Sequence, residues 1–379
     1  MIRSILVSLL VVSAFTGGLA IGRGGAVSGE PRPSWTVAGE LSRPRAYARA
    51  IALATGEVLI VGGLDPDDEH VTIPTSELFE PATGRVSVLP DQVNGRVNQA
   101  ITTGWGDRVV MTGGQEWLAG NWRTVSRTDV YLPYSRTWLK GSNMRQPRGD
   151  HGAAALLDGR ILVTGGNHNA RLLKSTEIYD PETDIWDVGR PLPRERTQFT
   201  AATLPDGRVL VAGGFELDGQ LTRSTWLYDV EGDTWDRGPL MREVRLNHSM
   251  VRLPDGDLLF FGGEAMGAGT AERYLWRERR FEYAGVLGEP RLVAQGVLLP
   301  DGRVLAVGGL PQQNDRKRFL PTIDAELWDP IKSVWLDLID PPTSRAWAQI
   351  VATDRGVFRI SGVGDDEVPM RTIEALVFH

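Results

Sequence analysis

Seven arginines stand at matched positions along the 379-residue chain: Arg45, Arg96, Arg148, Arg196, Arg245, Arg291 and Arg345. Each lies 17 residues before a glycine that closes a short apolar run, written in turn GEVLIVGG, DRVVMTGG, GRILVTGG, GRVLVAGG, GDLLFFGG, GRVLAVGG and a worn GVFRISGV. A guanidinium repeated in this way has two uses. It grips an anion or carboxylate brought by a ligand, or it is buried against an acid of its own chain, since a buried charge without a partner is costly. An acid recurs beyond the glycines at Glu77, Asp129, Glu177, Glu272, Glu326 and Glu374. The fourth copy has Trp226 in that place, so Arg196 lacks a repeat-encoded partner and is the foremost candidate for ligand contact; the alternative is that Glu216 or Asp218 in the adjacent loop supplies the charge.

The elements that must hold these residues are strands. The first glycines of the pairs fall at 62, 113, 165, 213, 262 and 308, and Gly362 aligns with them in the worn copy, a period near 50. That period in a strand-rich pattern predicts propeller blades of four strands each. From Arg148, RGDHGAAALL reads as a first strand, Asp158-Gly159 as a tight turn, RILVTGG as a second strand, STEIYDP as a third and WDVGRPL as a fourth. The aromatic opening the fourth strand recurs as Trp138, Trp186, Trp235, Phe281 and Trp335, a filler between blades, with Val86 as a weak copy in the first. The seventh copy stops short of its fourth strand, and PSWTVAGELSRPR around Trp35 supplies the match. The expected fold is all-β: a seven-bladed propeller whose last blade is closed by the N-terminal strand, which removes the open edge.

In such a meander the start of strand one, the end of strand two and the start of strand three share one face. Strands one and three are roughly 10 Å apart, and a side chain on strand two would stand between Arg and acid. The glycine pair is therefore expected to leave a slot that each arginine crosses. The same face carries the variable loops, where binding residues usually sit. Two residues after the arginines come Tyr47, Asn98, Asp150, Gln198, Asn247 and Trp347, expected around the channel mouth. The second-blade loop QEWLAGNWRTVSR offers Trp117, Asn121, Trp122 and Arg123, which suit a sugar ring or a peptide anchor or else cap their own blade. His151 and His248 take the third place after the arginines; hydrogen-bonded core histidines are the plainer reading and a bridging metal the rival. The acidic loops LDPDDEHVTIPT and GVGDDEVP read as solvated rim, without spacing for a calcium site, and Arg316, Lys317, Arg318 and Phe319 add charge to the sixth loop.

The paired glycines, the Tyr179-Asp180-Pro181 and Trp328-Asp329-Pro330 triplets after the third strand and the tryptophan that follows resemble kelch repeats, over everything from Trp35 to His379. Such propellers serve as adaptor modules, as galactose-oxidase-like copper enzymes and as periplasmic sialic-acid mutarotases, so the resemblance implies fold more firmly than function. It also implies that arginines near this repeat position hold acidic peptide segments.

Composition narrows the choice. A formal net charge of -7 argues against nucleic acid as partner. There is no cysteine, hence no thiolate ligand and no Tyr-Cys copper site of the galactose-oxidase type; no cofactor and no metal are expected. No G-x-S-x-G elbow is present. The N-terminus, MIRSILVSLLVVSAFTGGLA, has one arginine, an apolar core and small residues after it, the pattern of a secretory signal peptide. The expected organisation is a signal peptide over 1–26, a short linker over 27–33 and the propeller over 34–379, a secreted or periplasmic monomer without membrane insertion after cleavage. Its expected role is non-enzymatic binding of a protein or glycan through the loop-rich face. The alternative is a cofactor-free sugar-acid mutarotase using Arg196, Asp150 and Glu216.

Overall fold

The computed structural model describes residues 33–377, apart from 66, 69, 90–94, 218, 264–268, 312–320, 323 and 339. The expected signal peptide, most of the linker, Asp218 and the basic cluster Arg316–Phe319 lie outside the described residues.

Seven four-stranded antiparallel sheets form the blades of a propeller. Their innermost strands are Arg49–Ala52, Ala100–Thr103, Gly152–Ala155, Thr200–Thr203, Ser249–Arg252, Gln295–Leu298 and Gln349–Thr353. The third blade shows the common plan: Gly152–Ala155, Ile161–Thr164, Thr176–Asp180 and Ile185–Gly189, each paired with the next. Arg160 N–H donates to Asp158 Oδ1 at 3.0 Å across the first turn, where Gly159 takes φ +84°.

The second strand in most blades is an almost unbroken apolar run because both faces of the sheet are covered. Val58, Leu59, Ile60 and Val61 are all fully buried. Val58 and Ile60 face blade 7, beside Phe358 and Ile373, whereas Leu59 and Val61 face blade 2, beside Val109, Met111 and Tyr131. The same division makes seven hydrophobic clusters, one for each seam between blades, in place of a single core. The fourth-strand aromatics do bridge blades, as expected. The indole N–H of Trp138 reaches Ser76 Oγ at 3.0 Å, that of Trp186 reaches Ser142 O at 2.8 Å, and that of Trp235 reaches Arg190 O at 2.8 Å. Each thus buries a large ring and satisfies its one donor on the preceding blade.

The ring closes as the sequence predicts. Ser34–Glu40 pairs antiparallel with Thr372–Val377 to finish blade 7. One detail of that blade differs from the expected alignment. Its first hairpin turns from Thr353 directly to Gly356, one residue shorter than the others, so Ser361 takes the first-glycine place and Gly362 the second. Blade 7 also carries a buried cation the repeat does not predict: Arg359 pairs with Glu374 Oε2 at 2.5 Å and lies over the Trp35 ring at 5.7 Å, which ties the N-terminal strand into the blade.

Candidate functional site at the channel mouth

All seven repeat arginines are fully buried, at 0% exposure. Each crosses its own second strand at the glycine pair to reach an acid. Arg148 is representative: Nη1 donates to Gly165 O and Ser175 O, both at 2.9 Å, and Nη2 reaches Glu177 Oε1 at 2.7 Å. Arg45 pairs with Glu77 at 2.7 Å, Arg245 with Glu272 at 3.2 Å and Arg345 with Glu374 at 2.8 Å. Arg96 pairs with Asp129, and Arg291 with Glu326. Glu77, Glu177, Glu272 and Glu326 also cap the loop before their first strands; Glu177 accepts the backbone N–H groups of Arg145 and Gln146.

The fourth blade corrects the expectation of a free cation. Arg196 is paired with Glu216 Oε1 at 2.9 Å, and Glu216 lies directly across a two-stranded bridge from it. The loop has moved its acid inward to replace the one that Trp226 displaced. Burial pushes the Arg196 guanidinium down to about 10, against the Glu216 carboxylate that raises it.

The glycines do more than leave a slot. Every pair lies in the left-handed region, for instance Gly213 at φ +68° and Gly214 at φ +98°. A side chain on Gly213 would begin 2.6 Å from Arg245 O, in the next blade. Gly214 N–H donates to that same carbonyl at 2.7 Å. Equivalent bonds join Gly114 to Arg148 O, Gly166 to Arg196 O and Gly309 to Arg345 O, and at the closing seam the Ser361 hydroxyl bonds Arg45 O. The arginine backbone is thus the acceptor that stitches neighbouring blades while its side chain braces its own.

Arg45, Arg96, Arg148, Arg196, Arg245, Arg291 and Arg345 therefore do not line the channel. What lines it is the residue two further on. Tyr47, Asn98, Asp150, Gln198, Asn247, Val293 and Trp347 all take φ between +48° and +58°, a conformation that Asn and Asp tolerate and that is strained for Val, Tyr and Trp. Their backbones run head to tail from blade to blade: Asp150 N–H donates to Asn98 O, Gln198 N–H to Asp150 O and Asn247 N–H to Gln198 O, at 3.1 to 3.2 Å.

These seven side chains ring a cavity of about 300 Å³, with Arg49, Gln295 and Gln349 deeper along the same strand faces. Carboxamides dominate the wall: Asn98, Gln198, Asn247, Gln295 and Gln349. Asp150 is the one acid and Arg49 the one cation among the lining residues. Burial pushes the Asp150 carboxyl up, opposed by a hydrogen bond from Asn167 Nδ2 at 3.0 Å and by the Arg49 charge. Tyr47 and Trp347 meet at 5.0 Å between ring centroids on one side. Trp122 packs against the same small apolar cluster as these two rings, and Trp117 meets Trp122 edge-on at 5.7 Å and His70 at 4.0 Å. Trp117 and Trp122 stand on their own hairpin, Gln115–Leu118 and Asn121–Thr124, beside the cavity and not in its wall.

The two histidines are buried and hydrogen-bonded, and both also border the cavity. Thr112 Oγ1 lies 2.9 Å from His151 Nε2, and Thr200 Oγ1 lies 2.9 Å from His248 Nε2. Burial, reinforced by neighbouring arginines, pushes both rings down to about 3, so they are neutral. No cluster of three or more potential metal ligands exists among the described residues.

The Kelch motif family model matches residues 148–193 and 198–242, which are the third and fourth blades, and the other five blades repeat the same geometry around the ring. The chain is a kelch-repeat propeller. Among solved structures this kelch propeller is similar to a fungal alcohol oxidase described as novel, with catalytic diversity among the AA5 family and in complex with copper. The two align over 91% of this chain and 76% of the other at a TM-score of 0.74 and 19% identity, which shows a shared fold. No curated protein matches the kelch propeller in sequence.

Of the residues expected from sequence at the mouth, Tyr47, Asn98, Asp150, Gln198, Asn247 and Trp347 all stand in the cavity wall. Sequence reasoning missed Arg49, Gln295 and Gln349. The signal was present, because side chains at i+2 and i+4 share one face of a strand; carrying the step once more from Tyr47 reaches Arg49.

Proposed function

We propose that this kelch propeller is an exported binding module that takes a glycan at its channel mouth. One observation carries the reading: five carboxamides converge on a single cavity of about 300 Å³. Amides both donate and accept, as sugar hydroxyls do, and an aromatic surface from Trp347 through Tyr47 to Trp122 borders them. Fixed polar groups on a rigid ring favour a preformed site over a surface that orders on binding.

The test is a glycan array probed with the purified protein, beside Asn247→Ala and the double variant Trp117→Ala/Trp122→Ala. Loss of the wild-type hits by about tenfold or more in the cavity variant is expected from removal of a buried hydrogen-bonding pair. A smaller loss in the tryptophan variant would mark that hairpin as a flanking subsite. An array without hits, together with retention of a protein partner by the same face, would overturn the glycan reading.

A sugar-acid mutarotase is the second reading, and only one of its three residues reaches the cavity. Asp150, with its carboxyl held up by burial, is placed to move a proton; Arg196 and Glu216 are locked to each other behind the wall. Acceleration of anomer exchange that Asp150→Asn abolishes would favour it.

A further inference from the structure

Eight buried arginines of this propeller are spent on their own chain. The seven repeat arginines and Arg359 each reach a carboxylate and donate to the backbone or a hydroxyl as well. Arg49 differs. It comes from the innermost strand of blade 1, two residues below Tyr47, where the other blades carry Ala100, Gly152, Thr200, Ser249, Gln295 and Gln349. Its side chain donates no hydrogen bond to any described residue, and no carboxylate among them comes within ion-pair distance. Asp150 feels its charge across the channel, but that carboxylate is already held by Asn167.

Arg49 is half-buried at the cavity, and its guanidinium has five donors and no acceptor. Its burial pushes its proton affinity down, with Asp150 the only opposing charge. Surface arginines find water at little expense, whereas one sunk below a ring of side chains is stabilised by whatever anion enters. We propose that Arg49 anchors the anionic group of the ligand, and that the ligand is an acidic glycan residue, its carboxylate on the Arg49 fork and its hydroxyls on the surrounding carboxamides. This rests on the glycan reading above and adds the substrate class.

Two features select a carboxylate over a phosphate. The planar fork of one guanidinium matches a carboxylate in two parallel bonds. A dianion would meet the Asp150 charge in the same cavity without a second cation to offset it, so a monoanion fits better.

The test compares methyl β-D-glucuronide with methyl β-D-glucoside by calorimetric titration of the full chain, with acidic-terminated array glycans printed beside their neutral parents. The two glycosides differ only in a carboxylate against a hydroxymethyl group. The expected result is a preference for the acidic member of about tenfold or more, as for a charge-assisted pair. Added salt should erode that preference, and Arg49→Gln should abolish it, so that the variant binds the acidic and the neutral glycoside equally. Arg49→Lys, which keeps the charge and loses the fork, should retain part of it. Equal binding of acidic and neutral sugars, or a preference that survives Arg49→Gln, overturns the anchor and leaves the glycan reading standing. Binding to neither glycoside and a blank array overturn both. The comparison of the two sugars on the wild-type chain needs no variant, so it decides for or against the anchor even where a substitution fails to fold.

Discussion

Replacing Gly213 by alanine separates two reasons for a glycine. The first is conformational: at φ +68° an alanine costs about 1–2 kcal/mol. The second is contact. The new methyl would begin 2.6 Å from Arg245 O and 3.0 Å from the His248 ring, both in the next blade. A backbone carbonyl cannot step aside without straining the Gly214 N–H bond it accepts at 2.7 Å. Losing or lengthening that bond costs about another 0.5–1.5 kcal/mol, and separating the packed seam adds about 1–3 kcal/mol of overpacking strain. Together the change should destabilise by roughly 3–6 kcal/mol. The control is Gly302→Ala. Gly302 has φ +86° and nothing within 4 Å of its would-be methyl, so only the conformational part applies, about 1–2 kcal/mol. Denaturant unfolding of both variants, followed by tryptophan fluorescence, reads the difference as a shift in midpoint at unchanged slope. Equal losses in the two variants would refute the view that the paired glycines exist to let blades approach.

Two further outcomes follow from buried charge. Glu177→Gln leaves the Arg148 guanidinium buried without its counterion and should cost about 3–5 kcal/mol, whereas Asp158→Asn, which breaks a surface pair with Arg160, should cost about 0–1 kcal/mol. Glu216→Gln should resemble Glu177→Gln despite lying in a loop, and a near-neutral result in urea unfolding would deny it the role of the missing strand acid. The histidines set a pH dependence. Their folded values lie near 3, below the ordinary 6.5 of the unfolded chain, so the unfolded state binds more protons between these limits. Stability is therefore full above about pH 6.5 and falls as the pH drops toward 3, by up to about 1.4 kcal/mol per unit for each ring. His151→Gln should flatten that slope; an unchanged slope in unfolding curves between pH 6.5 and 4 would show that the ring titrates normally.

The order of strands and the closure of the ring were legible from the chain alone, because both are local or repetitive. A turn such as Asp158-Gly159 is written in adjacent residues, a strand buried on both faces is an unbroken apolar run, and seven copies locate the seam at Trp35 by what the last copy lacks. The arginine and the glycine pair were legible for the same reason, since their spacing is the same in six blades, and the acid was legible from its place at the start of the third strand. The fourth blade was settled only in three dimensions. Arg196 and Glu216 are 20 residues apart with no repeat to connect them, and the pairing depends on how one loop folds inward. The second duty of the glycines was equally hidden, because it concerns a carbonyl in the next blade, as from Gly214 to Arg245. The cavity is likewise a property of the assembled ring. Asn98, Asp150, Gln198, Asn247, Gln295 and Gln349 come from six blades, and only closure of the propeller turns separate polar residues into one wall around Arg49. Sequence determines what each strand offers to either side; which offers meet is decided where neighbouring blades pack.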